Sequence, residues 1–305
     1  MRFSDPFPVL TLLKNPQSSN YQEFQSSKEK MRGGVPSCFA GESRVKTKEN
    51  MVVSTYLTEL GEGVRTSITV TWYKNVTGQG LCVAVGESLP SRFVCNVEIK
   101  PWKFWRKQGS CKSSDIIDGS KVEVFWNLGS AKFEAGPEPE RRYCVAVVCN
   151  DQMVLLLGDM EAEAYTKTKS RPSLEALLVS REKHILGNEY FATVARFGYG
   201  KQAHEVSIEC HTKRAGDPAL VISVDREIAV EVKHLLWKFR GNGTIYVDGV
   251  PVQILWDVHD WLFNPGLGHA LFIFKSTMPL NSLSSKHNID CGLPSDFSFF
   301  IYAWK

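Results

Sequence analysis

Residues 244–256 read TIYVDGVPVQILW, and residues 116–126 read IIDGSKVEVFW. Each sets Asp-Gly between two apolar runs. That is a strong hairpin signal, because a type I′ turn needs positive φ at both central residues. Each second run ends on a tryptophan, Trp126 or Trp256. One hairpin recurring at matched positions argues that a β unit is present twice.

The correspondence extends outward from the hairpins. Val53–Val85 lies over Ala192–Val224 at a constant offset of 139 residues, so that Lys74 meets Lys213, Leu81 meets Leu220 and Val85 meets Val224. Val97-Glu98-Ile99-Lys100 meets Val230-Glu231-Val232-Lys233, Trp-Lys-Phe at 102–104 recurs at 237–239, and Phe133 meets Phe263. The offset drifts from 139 to 130, as small loop deletions would make it. Within the units, Thr66–Lys74 alternates around Ile68, Val70 and Trp72, and Gly80–Val85 and Phe93–Trp105 follow. Tyr143–Val148 and Met153–Leu157 flank Asn150-Asp151, another tight turn, while Ala270–Phe274 and Phe297–Trp304 fill matching places in the second half. This spacing predicts an all-β fold of two tandem duplicated antiparallel units, each a sandwich or a barrel. One stretch breaks the rhythm. Pro172–Leu186 has Leu174, Leu177, Leu178 and Ile185 at helical spacing, which predicts a short helix joining the units. The expected organisation is a flexible leader over 1–50, a first β unit over 51–165, a helical connector over 166–188 and a second β unit over 189–305, with a long loop at 279–296.

A chain of 305 residues with 43% apolar content can bury a core in each half. The formal charge of +3 sits in the leader, where residues 1–50 hold 8 Lys/Arg against 5 Asp/Glu, while the remainder holds 28 of each. That balance is too weak to imply nucleic-acid binding by charge. No run approaches the roughly 18 apolar residues of a membrane span, and the N-terminus lacks a signal-peptide pattern, so the expectation is a soluble intracellular chain, cytoplasmic or nuclear. The eight cysteines show no CxxC pair, and Cys82, Cys95, Cys144, Cys149 and Cys210 sit in or beside apolar runs, as buried free thiols do. No zinc-ligand spacing, Walker A loop, nucleophile elbow, HExxH or Rossmann glycine run is present, and no cofactor is expected. Asn75-Val-Thr and Asn242-Gly-Thr match glycosylation sequons, which matter only in a secreted chain.

Four constellations could carry function. Lys100-Pro-Trp-Lys103-Phe-Trp105-Arg106-Lys107, with Lys112 beyond it, joins basic residues to aromatic rings and contains no acid. Such a segment can grip an anionic lipid surface or a partner, although strand alternation would turn Trp102 and Phe104 inward and Lys103 outward. In Trp256-Asp-Val-His-Asp-Trp261, a continued strand would put Asp257 and His259 on one face, as an acid–base pair or metal site needs. The competing reading makes the rings core anchors and the polar residues a cap at the strand end. Gly136-Pro-Glu-Pro-Glu-Arg-Arg142 reads as a rigid, charge-balanced loop, and Gly158–Glu163 as an acidic turn that does not match a calcium loop.

The chain resembles a plant family catalogued as domain of unknown function 868. Thr69-Val-Thr-Trp72, Ile117-Asp-Gly119, Val122–Phe133, Gly136-Pro-Glu-Pro139, Leu156-Leu-Gly-Asp159, Leu178-Val-Ser-Arg181, Val247-Asp-Gly249 and Trp256-Asp-Val258 carry the resemblance. It implies a plant origin and supplies no catalytic residues. Asn127 stands where it implies Asp in many relatives. The leading expectation is a non-catalytic binding or scaffold protein that engages a partner protein or an anionic membrane through Lys100, Lys103, Trp105, Arg106, Lys107 and Lys112. The alternatives are a carrier of a small apolar ligand inside a β barrel, and an enzyme or metal site at Asp257 and His259.

Overall fold

The computed structural model describes residues 48–304, apart from 61–63, 76–77, 87–92, 100–106, 114–120, 173–175, 188, 198–201, 212–216, 265–267 and 278–295. The leader, the Asp118-Gly119 turn and the 279–296 loop therefore fall wholly or almost wholly outside the described residues.

Period-two apolar alternation and tight turns carry the chain through successive meanders. The first is β1 (Lys48–Leu60), β2 (Val64–Asn75), β3 (Gly78–Val85) and β4 (Phe93–Ile99). Next come β5 (Gln108–Lys112), β6 (Val122–Asn127), the short β7 (Lys132–Phe133) and β8 (Pro139–Arg141), β9 (Cys144–Cys149) and β10 (Gln152–Gly158). Helix α1 (Glu161–Thr168) and strand β11 (Leu177–Leu186) lead into the second half. It contains β12 (Tyr190–Ala195), β13 (His204–His211), β14 (Ala219–Val224), β15 (Glu227–Val232), β16 (Arg240–Val247), β17 (Val250–Asp257), the one-turn helix α2 (His259–Phe263), β18 (His269–Thr277) and β19 (Asp296–Trp304). Two-residue turns with both φ positive close three hairpins: Asn150-Asp151 (49°, 61°), Asp225-Arg226 (50°, 71°) and Asp248-Gly249 (50°, 77°). Asp and Asn tolerate this region better than other residues with a Cβ, and their turns match the twist of the flanking strands.

The fold is all-β and sandwich-like. Four strands in the order β10-β9-β6-β5 pack over β1–β4, and four in the order β12-β13-β14-β15 pack over β16–β19. The covered blocks belong to one nine-stranded sheet, β16-β17-β18-β19-β11-β1-β2-β3-β4. Residues in register across a sheet share a face. Val97, Leu81, Trp72, Val52, Lys183, Ile301, Phe272, Trp256 and Gly241 form one row across all nine strands. The row shows that both smaller sheets cover the same face. Apart from the terminal glycine it is buried throughout, including Lys183 at 7% exposure, whose Nζ donates to Thr193 Oγ1 at 2.8 Å.

The expected connector is corrected here. Leu177–Leu186 is a strand, with β1 antiparallel on one side and β19 parallel on the other. The helix of this region comes earlier, at Glu161–Thr168, where Ala164 packs on Phe125, Cys144, Ala146 and Met153. It covers the second face of β9, which explains why β9 is buried at every position. The inward residues of the two halves coincide at the offsets read from the sequence in β1/β12, β3/β14 and β6/β17, whereas in β4/β15 Val97 and Ile99 match Val230 and Val232 but buried Cys95 falls on exposed Ile228, where β15 has a register shift. They differ in β2/β13, where Ile68, Val70 and Trp72 correspond to Val206, Ile208 and Cys210. A single constant offset would turn β13 inside out, because a one-residue slip exchanges the two faces.

On the opposite face of β11 lie Glu182 and His184. Burial pushes the Glu182 carboxyl up to about 7. Burial, followed by the nearby His269, pushes the His184 imidazole down to about 3, and its ring stacks on Tyr302 at 4.7 Å. The two shifts act in opposite pH windows. The raised Glu182 supports folding below its ordinary value of about 4.5 and loses that support as pH rises through about 7. The depressed His184 supports folding above 6.5 and loses that support as pH falls toward 3. Urea titrations should show Glu182→Gln stabilising by up to roughly 3 kcal/mol near pH 8 and by little near pH 4. An equal gain at both values would contradict the assignment.

Candidate functional site

Of the basic-aromatic segment, Lys100, Lys103, Trp105 and Arg106 lie outside the described residues. Lys107 is partly exposed, and its carbonyl accepts from Leu128 N at 2.6 Å. Lys112, on β5, pairs with Glu123 of β6 at 3.2 Å. The corresponding stretch of the second half is described in full. Residues 233–239 form the turn between β15 and β16, which belong to different sheets. Trp237 stands 86% exposed on this turn, beside Leu236 at 43%. The alternation that would turn the first Trp of Trp-Lys-Phe inward does not hold in this copy, because the backbone here is turn and not strand.

The turn is held from several sides. Leu235 is a fully buried peg, and its N–H donates to Pro218 O at 2.9 Å. The N–H groups of Trp237 and Lys238 both donate to His234 O at 3.0 Å, and the Trp256 indole N–H donates to Lys238 O at 3.2 Å. His234 takes φ 59°, the left-handed region, and its Nδ1 meets the Asp217 carboxylate. Phe239 packs edge-on to Phe263 at 5.9 Å and lies under the Arg240 guanidinium at 5.6 Å. Ion pairs surround the aromatic group: Lys233–Glu231 at 3.6 Å, Arg240–Asp257 at 2.9 Å and His259–Asp260 at 3.0 Å.

Asp257 and His259 do not share a strand face. β17 stops at Asp257, and His259–Phe263 is helical. Asp257 Oδ2 accepts from Arg240 Nε at 2.9 Å, and Oδ1 accepts from His259 N at 3.1 Å, a side-chain turn just ahead of the helix, whose N-cap is Val258. The His259 ring pairs with Asp260, whose carboxyl is held low chiefly by that hydrogen bond. It also lies against Phe239 at 5.2 Å and Phe263 at 5.1 Å. Trp256 and Trp261 are core anchors, whereas Phe263 is 46% exposed.

The equivalent corner of the first half explains the residue at 127. Asn127 Oδ1 accepts from Gly129 N at 2.9 Å, the same turn that Asp257 makes with His259. The outer partner differs. Asn127 Nδ2 donates to Glu163 Oε1 at 2.6 Å, where Asp257 instead accepts from arginine. An amide faces a carboxylate, and a carboxylate faces a guanidinium. Both corners also place a tryptophan over a cross-strand glycine, Trp126 on Gly109 and Trp256 on Gly241, where an added Cβ would come within 2.8 and 2.2 Å of the ring.

Three further ion pairs were not legible in the sequence. Glu138, in the loop read as exposed charge balance, pairs with Arg181 of β11, while Pro137 and Pro139 are buried. Buried His204 bonds Asp225 at 2.7 Å and Asp248 at 3.1 Å, and so ties together hairpin turns from both sheets of the second half. Asp225 is held below the usual carboxylate range, first by that bond and then by Glu205 N. Among the described residues no group of three or more His, Cys, Asp or Glu could hold a metal, and no helix is long and apolar enough to cross a membrane. Cys82, Cys95, Cys111, Cys144, Cys149 and Cys210 are free thiols, and burial pushes Cys149 up to about 12.

Residues 47–305 match a family model described as plant protein of unknown function (DUF868). No curated protein and no solved structure matches the chain.

If Asp257 is an organiser of this corner, truncation should cost more than neutralisation. Asp257→Asn keeps the bond to His259 N and should lose about 0.5 kcal/mol, because the Arg240 pair is half-exposed. Asp257→Ala loses both bonds and should cost about 1–2 kcal/mol, as the loss of side-chain hydrogen bonds at a partly buried corner does. Equal losses in chemical denaturation would remove the turn-forming role.

Proposed function

The chain belongs to the plant family of unknown function DUF868, and from that premise we propose that it is a non-catalytic binding protein that docks a partner protein on the turn carrying Trp237. One observation carries this reading: an 86% exposed indole on a turn whose backbone and neighbours are otherwise fixed. Exposed tryptophan is costly in water and common at the energetic centre of interfaces, where polar neighbours exclude solvent around it. Fixing the turn in advance lowers the ordering cost of association.

Charge separates a protein partner from an anionic membrane. Lys233, His234, Arg240 and His259 each face a carboxylate, so the patch is nearly balanced. Binding to anionic lipid draws on several basic groups without acidic neighbours. The balance therefore favours an apolar pocket with a polar rim on a partner. Carriage of a ligand inside the second half has less support, because Phe191–Trp261 at 5.0 Å and Phe274–Phe299 at 6.0 Å pack rings within its core. An enzyme at Asp257 and His259 lacks support too, since each is committed to holding the corner.

The test is immobilised capture from plant lysate, quantified for wild type and Trp237→Ala. The variant should keep its melting temperature, because the ring is solvent-facing, and should lose a specific partner by about 30-fold or more. Partner recovery that is unchanged by the substitution, or pelleting with phosphatidylserine vesicles that depends on Trp237, would overturn the protein-docking reading.

A further inference from the structure

We propose that β16 is a self-association edge, on which a second copy of this chain pairs antiparallel about a two-fold axis through Thr244. Among the described residues β16 ends the nine-stranded sheet and pairs with β17 alone, without a register shift over its eight residues. Between Arg240 and Asp248 the sequence Gly-Asn-Gly-Thr-Ile-Tyr-Val carries no charge. Proteins usually guard a free edge with charge, proline or a bulge, and β16 has none of these beyond Arg240 at its first position. Its outward row is Asn242, Thr244 and Tyr246, the last 76% exposed.

Other free edges among the described residues are guarded. β4 carries Glu98 within its span, β5 is only five residues long and ends on Lys112, and β15 carries Glu227 and Glu231 and has a register shift against β14. Gln152 of β10 is bridged by Arg171. β12 is uncharged, but its flanking Glu189 and Arg196 stand seven residues apart and hence on opposite faces. A two-fold pairing cannot bring those two together.

In β16 the spacing does allow it. Arg240 and Asp248 bound the uncharged stretch, so a two-fold axis at Thr244 brings Arg240 of each copy beside the Asp248 turn of the other; Asp248 lies just past the strand at φ 50°, and the contact is made at the turn, not across paired strands. The same register sets Thr244 against Thr244 and Asn242 against Tyr246, and both are favourable cross-strand neighbours. Arg240 already gives Nε to Asp257, and Asp248 already accepts from His204 through Oδ2. The guanidinium amino groups and Asp248 Oδ1 are the atoms that would meet.

The experiment uses the full chain and cysteine substitutions at exposed positions. At the axis, opposed Cβ atoms lie about 5 Å apart, within disulfide reach after small adjustment. The two Asn242 positions are separated by four residues, or about 14 Å. Thr244→Cys should give an oxidised dimer well above the wild-type background, and Asn242→Cys should not. Sedimentation velocity should show wild type dimerising with concentration, and Thr244→Lys, which opposes two ammonium groups on the axis, should be monomeric with an unchanged circular dichroism spectrum. Trp237→Ala should still dimerise, so failure here and failure of partner docking are distinguishable. A wild-type monomer at all concentrations, equal cross-linking at 242 and 244, or a Thr244→Lys dimer would each overturn the proposal.

Discussion

The molecule depends on the backbone pairing of β11. Without it, β1 and β19 would each present an unpaired edge, and each half would be a separate sandwich with a long row of unsatisfied amides. With it, the two blocks become one nine-stranded sheet. The mixed geometry follows from connectivity, because a single strand between two antiparallel meanders can be antiparallel to only one of them here, and its partner across the seam is parallel. The central position also explains the composition of β11. Arg181, Glu182, Lys183 and His184 would be surface residues on an edge strand, but the central position buries them wholly or in part, with Glu138 beside Arg181, Thr193 beside Lys183 and Tyr302 stacked on His184.

The same fact shows why this strand was the part of the fold that sequence reading missed. Leu177, Leu178 and Ile185 fit a helical stripe, and the charges between them look like its solvated face. A central strand announces itself by β-branched, apolar continuity, and β11 lacks it because the seam between two sandwiches is less apolar than either interior. Local pattern was a good guide where a turn imposes its own chemistry. Asp248-Gly249 and Asn150-Asp151 have positive φ as their residues require. Asp225-Arg226 makes a turn of the same kind, yet arginine at the second position carries no such signal.

The candidate sites were legible in kind and not in geometry. Asp257 and His259 invite an acid–base reading because the residues are close in sequence. What decides their role is the helix that begins between them and the guanidinium that comes from a neighbouring strand. Comparison with the first half supplies the physical control. Asn127 and Asp257 make the same backbone turn, and the charge at each position follows from the group across from it.

Indole distribution gives the last step. Trp72, Trp256, Trp261 and Trp304 are each less than a tenth exposed, so the fold has places for large rings and uses them. Trp237 sits on a turn pinned by Leu235 in the core and by the Trp256 indole N–H, only two residues from the partly buried Phe239. Leaving it in water forgoes burial worth on the order of 3 kcal/mol. A flexible loop could fold such a ring back onto the surface and recover part of that energy. The fixed backbone prevents that recovery, so the ring stays in water at that cost.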